Sequence, residues 1–173
     1  MIKMKNILLL SIILFANNLS AQDKQNNTTN QFIITGKVKN EKIVTLSDIQ
    51  NYPSIQLNDV NVSCSPKTEN RIKEIKAVLL KNILDSVSFD YKKSRMLNQY
   101  YFLFVASDGY KIVFSYNEIY NTEIGKNLYL VTEIEGKKIN DLENSILMLT
   151  TKDFRGGSRN MKWLSKIIVC MAE

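Results

Sequence analysis

The chain has 173 residues, with 23 lysines and arginines against 17 aspartates and glutamates, a formal charge of +6, and no histidine at all. Without histidine, Ser-His-Asp and Cys-His catalysis and zinc hydrolysis are excluded, because the usual neutral-pH base and the commonest metal ligand are missing. The cations are scattered along the elements and do not interleave with aromatic residues, which argues against nucleic-acid binding and suits a small anionic ligand better.

The first 21 residues open with Lys3 and Lys5, continue through the apolar run Ile7-Leu8-Leu9-Leu10 to Phe15, and reach Leu19-Ser20-Ala21. This is the pattern of a secretory signal peptide cut after Ala21, too short in its apolar part to span a bilayer. The product is expected to be exported, periplasmic or secreted, with no membrane span. Loss of Lys3 and Lys5 lowers the formal charge from +6 to +4. Residues 22–31 are crowded with Asn, Gln and Thr and read as a flexible leader. Residues 32–173 then form one domain with a real core.

Residues 32–38 read as a strand, and Thr45-Leu46-Ser47-Asp48 is a capping box that starts a short helix ended by Tyr52-Pro53. Residues 55–63 alternate apolar and polar side chains, with a bulge expected near Asn58-Asp59. Cys64 ends that strand. A polar loop follows, then a brief strand over residues 72–76 and a helix over residues 79–84 that buries Leu80, Ile83 and Leu84. Residues 90–99 read as a loop or frayed helix. Residues 100–106 and 111–116 form a hairpin turning at Asp108-Gly109, where glycine accepts positive φ. Ser115-Tyr116-Asn117-Glu118 is a second capping box. Leu128 opens a strand that turns at Glu135-Gly136 into Lys137-Lys138-Ile139, and residues 146–150 and 166–171 supply the last strands. Short strands joined mostly by hairpins give an α+β fold with mixed, largely antiparallel sheets, and the long crossover helices of a doubly wound sheet are missing.

Arg155-Gly156-Gly157-Ser158-Arg159-Asn160-Met161-Lys162-Trp163-Leu164 sets two glycines and three cations before the only tryptophan, an arrangement able to hold an anion. A glycine turn flanked by solvated cations is the plainer reading of the same residues. Cys64 and Cys170 are the only cysteines, and in an oxidising compartment a disulfide and an inert buried thiol both stay open.

Taken in order, Gly36-Lys37-Val38-Lys39-Asn40, Val44-Thr45-Leu46-Ser47-Asp48-Ile49, Val78-Leu79-Leu80-Lys81-Asn82-Ile83-Leu84, Asp108-Gly109-Tyr110, Glu135-Gly136-Lys137-Lys138-Ile139 and Lys162-Trp163-Leu164 resemble the molybdopterin-binding domain of the sulfite-oxidase family over nearly the whole mature chain. The resemblance implies a pterin dithiolene carrying molybdenum, oxygen-atom transfer, and a redox partner protein. It also implies a thiolate metal ligand, for which Cys64 is the candidate. Arg159 and Lys162 match positions that hold the pterin's phosphate and ring region, with Arg155 a third candidate, and Tyr110 matches an aromatic residue beside the metal. Three departures stand out. Cys64-Ser65-Pro66-Lys67 replaces a Cys-Ala-Gly-Asn type of run, the family's phosphate-contacting histidine is absent, and the remaining arginines, Arg71 and Arg95, lie in polar loops. A cofactor-free module that binds an anion or a partner protein on the same scaffold is the alternative.

Overall fold

The computed structural model describes residues 27–63, 70–153 and 157–173, so the expected signal peptide, Cys64 and Arg155 lie outside the described residues. Among the described residues ten strands carry the architecture. The first sheet has the order β2-β1-β10-β5-β6, built from β1 (Gln31–Gly36), β2 (Lys42–Thr45), β5 (Tyr100–Ala106), β6 (Lys111–Ser115) and β10 (Leu164–Met171). Within it only the β1–β10 pair is parallel. The second sheet runs β3-β4-β7-β8, from β3 (Ser54–Asn61), β4 (Arg71–Leu79), β7 (Leu128–Ile134) and β8 (Lys137–Lys138), with β9 (Met148–Thr150) also paired to β7. All its pairs are antiparallel. The fold is thus α+β with mixed, largely antiparallel sheets, as the alternation and hairpin turns imply.

Period-2 alternation sets which way each strand faces. Along β5, Tyr100, Phe102, Phe104 and Ala106 are buried while the residues between them are only half-buried. Phe32 and Ile34 of β1, Ile167 and Val169 of β10, and Phe114 of β6 join them in the main core. Among the described residues three short helices close over it. Helix α1 (Leu46–Gln50) starts at a capping box of Thr45 with Asp48, and α3 (Tyr116–Asn121) at one of Ser115 with Glu118, both as read from the sequence. Helix α2 (Leu80–Leu84) buries the three expected side chains, Leu80, Ile83 and Leu84. A second, smaller core lies on the other side of the second sheet, around Ile75, Val131, Leu147 and Leu149.

Two glycines are fixed by close approach. A Cβ on Gly36, where φ is +92°, would lie 2.3 Å from the Val169 carbonyl oxygen of the neighbouring strand. One on Gly125 would lie 1.7 Å from the Ile119 carbonyl oxygen of α3.

Several expectations are corrected. The strand expected over residues 72–76 runs from Arg71 to Leu79, because Ala77, Val78 and Leu79 continue to pair with β7 before α2 begins. No residue is inserted at Asn58-Asp59: Asn58 faces Glu74 and Val60 faces Ile72 in one register. The change of face there is made by Asp59 itself, with φ of 53° and its carboxylate clamped by Arg71 at 2.6 and 2.7 Å. Residues 94–99 form a 3-10 turn. Asn27, Thr28, Thr29 and Asn30 hydrogen-bond to residues of the domain. Thr29 donates its N–H to the Ser145 carbonyl and accepts from the Ile146 N–H, while Leu46 donates to the Asn30 carbonyl. No helix among the described residues is long and apolar enough to cross a membrane.

Candidate functional site

Beside β9 the segment of residues 157–163 folds back on the second sheet. Met161 bridges to Met148 through both backbone hydrogen bonds, and the Asn160 side-chain oxygen accepts from the Thr150 N–H at 2.9 Å. Trp163 turns the chain into β10 with φ of 57° and donates its indole N–H to the Glu143 carbonyl at 2.8 Å. Between this segment and the ends of β4 and β7 lies a cleft of about 490 Å³, within the ordinary range for a small-molecule site. Its apolar wall includes Ile72, Ile134, Leu147 and Leu149; Asn144, Asn160 and Lys162 supply polar groups. Ser63, the residue before Cys64, lines the same cleft. The end of the strand leading to Cys64 and the Lys162 segment therefore share one cavity.

Arg159 points elsewhere. Its Nε and Nη2 donate to the two Asp153 oxygens at 2.8 and 2.5 Å, and its Nη1 donates to Glu118 Oε1 at 2.9 Å. The guanidinium also stacks 4.2 Å from the centre of the Phe114 ring. Glu118 is itself held, since its other oxygen accepts the Ser115 N–H at 2.7 Å as the second half of the capping box. The Asp153 side chain is 9% exposed. The hydrogen bonds from Arg159 hold its carboxyl below the ordinary value of 3.8, against the opposing effect of burial. Burial pushes Glu118 up, but the Ser115 N–H and Arg159 outweigh it and its net shift is downward. Those same bonds, Asp153 first, push Arg159 further up. One cation thus faces two carboxylates that stay ionised, and the triad carries a net negative charge.

Tyr110 sits at the tip of the β5–β6 hairpin and donates its hydroxyl to the Ser158 carbonyl at 2.8 Å, latching the hairpin to the 157–163 segment. It is 45% exposed and outside the cleft. Lys162 is exposed, with its ammonium 6.0 Å from the centre of the Trp163 ring and no ion-pair partner among the described residues. Cys170 is a free thiol on β10, half-buried, beside Tyr101.

No family model matches the chain, and no curated protein matches it. Among solved structures it is similar to the sulfane dehydrogenase SoxCD from Paracoccus pantotrophus, with a TM-score of 0.57 and 10% identity. The match covers 85% of this chain and 39% of that one. At this identity the likeness shows the fold, in agreement with the sulfite-oxidase-type architecture expected from the motifs.

The residues present fit a pterin phosphate poorly. A phosphate needs unopposed donors, and three of the Arg159 N–H groups already serve carboxylates whose combined charge exceeds its own. Of the described residues expected to hold the group, Arg159, Lys162 and Tyr110, only Lys162 lines the cleft. Among the described residues no three acidic or cysteine side chains are grouped as a metal would need, and Cys64 lies outside them. The cleft's amides were missed by sequence reasoning. Asn160 stands inside the singled-out segment, but Asn70 and Asn144 come from polar loops that carry no local signal.

Proposed function

We propose that this protein is a binding module on a sulfite-oxidase-type scaffold, whose cleft takes a small organic anion with one negative charge and an apolar body. The observation that carries this reading is the division of labour between the two cations. Lys162 is the one cation among the described residues lining the cleft, while Arg159 is neutralised inside the protein. An ammonium beside an apolar wall rewards a single carboxylate or sulfonate, and the asparagine amides offer further hydrogen bonds. The absence of histidine and the altered cysteine context support the same reading.

Calorimetric titration with naphthalene-1-sulfonate, an amphipathic monoanion of suitable size, tests it. One site per chain is expected, weakened about fivefold by Lys162→Met, which corresponds to about 1 kcal/mol of surface-type Coulomb attraction. Arg159→Lys is expected to leave the affinity unchanged. Binding that ignores Lys162 would overturn the reading.

The oxidoreductase reading is favoured by one observation, that Ser63 next to Cys64 lines the cleft shared with Lys162. When bound, a molybdenum cofactor would supply oxygen-atom transfer, and a redox partner protein would be needed. Protein made in a host that supplies the cofactor, analysed for molybdenum, separates the two: near-stoichiometric metal lost on Cys64→Ser would establish the oxidoreductase and end the module reading. Export belongs to the proposal as well. It is checked by N-terminal sequencing of the mature protein, expected to begin at Gln22.

A further inference from the structure

The outer face of the first sheet has a composition that ordinary solvent-facing sheets lack. Antiparallel sheets with one wet face alternate cleanly between apolar and polar, whereas strands covered on both faces read as continuous apolar runs. Phe32-Ile33-Ile34 of β1, Phe102-Leu103-Phe104-Val105 of β5 and Ile167-Ile168-Val169 of β10 are of the second kind. Their inward residues fill the main core, while Ile33, Leu103, Val105 and Ile168 belong to neither core. The register lines them up across the strands: Ile43 faces Ile33 on β1, while Ile168 on β10 faces Leu103, which in turn faces Val113 on β6. At the two flanks Ile43 is 55% and Val113 51% exposed.

The charges on it are as ordered as the apolar rows. Lys166 faces Val105, which faces Lys111, so two exposed ammonium groups flank one valine in a single cross-strand row. Neither has an ion-pair partner among the described residues. Glu41, at the β2 end, accepts a hydrogen bond from Thr35. Five strands about 4.8 Å apart give a face roughly 20 Å across, on which the half-buried Ile33, Leu103, Val105 and Ile168 lie between the exposed Ile43 and Val113, and a continuous apolar surface of this kind marks an interaction site.

We propose that this face docks a partner protein presenting an apolar ridge to the Ile33, Ile168, Leu103 and Val113 rows and carboxylates to Lys111 and Lys166. A second copy would bring four lysines to the interface with only the two Glu41 carboxylates to meet them. The apolar side chains are Val, Ile and Leu on a pleated sheet, without the Trp or Phe anchors that favour a bilayer surface. The inference is independent of the cleft reading.

Photo-crosslinking from Val113→p-benzoylphenylalanine, in the cells that naturally make the protein, followed by calorimetry with the purified crosslinked protein, tests it. The expected result is one protein species crosslinked through a segment carrying carboxylates. Lys111→Glu with Lys166→Glu should weaken that complex about tenfold or more, and reversing the partner's carboxylates to lysine should restore it. Both lysines are exposed, so the reversed chain is expected to melt close to the parent and the loss is read as binding. Crosslinks confined to a second copy, to lipid or to residues 1–26 of the same chain would overturn the proposal, as would no crosslink or an affinity insensitive to the charge reversal.

Discussion

Replacing Arg159 with methionine removes three charge-assisted hydrogen bonds and the stacking on Phe114 while keeping the apolar stem. Asp153, nearly buried, is left with the Thr150 hydroxyl as its one partner among the described residues. Breaking a buried ion pair from one side costs about 3–5 kcal/mol. The Arg159 side chain is 24% and Glu118 33% exposed, so solvent recovers part of this and about 3 kcal/mol is expected at neutral pH. For a domain of this size that lowers the melting temperature by roughly 6–12 °C. The sign with pH follows from the direction of the shifts. Both carboxyls are held below their ordinary values of 3.8 and 4.5, so their contribution is complete above pH about 5 and is lost as pH falls through the lowered folded values. The gap between parent and variant should therefore narrow steadily below pH 4.5. Urea unfolding followed by fluorescence of Trp163, the only tryptophan, measures it across pH 3 to 7. A loss under 1 kcal/mol at pH 7, or a gap that does not change with pH, would refute the argument.

Three further outcomes follow from the same geometry. Ser115→Ala removes the α3 cap and is expected to cost about 1 kcal/mol. Because Glu118 serves both the cap and Arg159, its effect should fall short of additive with Arg159→Met in a double-mutant cycle. Gly125→Ala forces a methyl against the Ile119 carbonyl at 1.7 Å and is expected to destabilise by about 3 kcal/mol or more by thermal melting. The Tyr120 hydroxyl is buried and meets no partner at hydrogen-bond geometry among the described residues, and burial, aided by the Asp85 carboxylate close by, pushes its ionisation well up from 10.0. Unfolding lets it ionise near its ordinary value, so it carries no pH-dependent penalty below pH 10 and a growing one above it; Tyr120→Phe should leave neutral stability nearly unchanged and extend the alkaline limit of folding.

What could be read from the residues was what local chemistry decides. Both capping boxes, Thr45 with Asp48 and Ser115 with Glu118, depend on side chains three positions apart, and both are present. The Asp108-Gly109 and Glu135-Gly136 hairpins are equally local, with Gly109 at φ of 89° and Gly136 at 83°. Strand order was not legible, because nothing near Leu164–Met171 announces that it inserts between β1 and β5 and runs parallel to one of them. Arg159 illustrates the limit for the site. Its type and its setting among glycines fit anion recognition, but its charge is decided by Glu118, 41 positions away in sequence and brought close only by the tertiary fold. Lys162 stands in the segment singled out from the sequence and lines the cleft; the loop amides Asn70 and Asn144 that share it carried no local signal.

The place of β10 has a consequence for how the chain reaches its native state. Until residues 164–171 have left the ribosome, β1 with β2 on one side and β5 with β6 on the other have no strand to join them. More than a hundred and twenty positions separate the partners that pair across the parallel seam, as with Ile33 and Lys166. Pairings this distant are slow to find. From the completion of β6 until residues 164–171 emerge, the nascent polypeptide therefore holds two incomplete half-sheets, and the first sheet closes only when that one segment arrives.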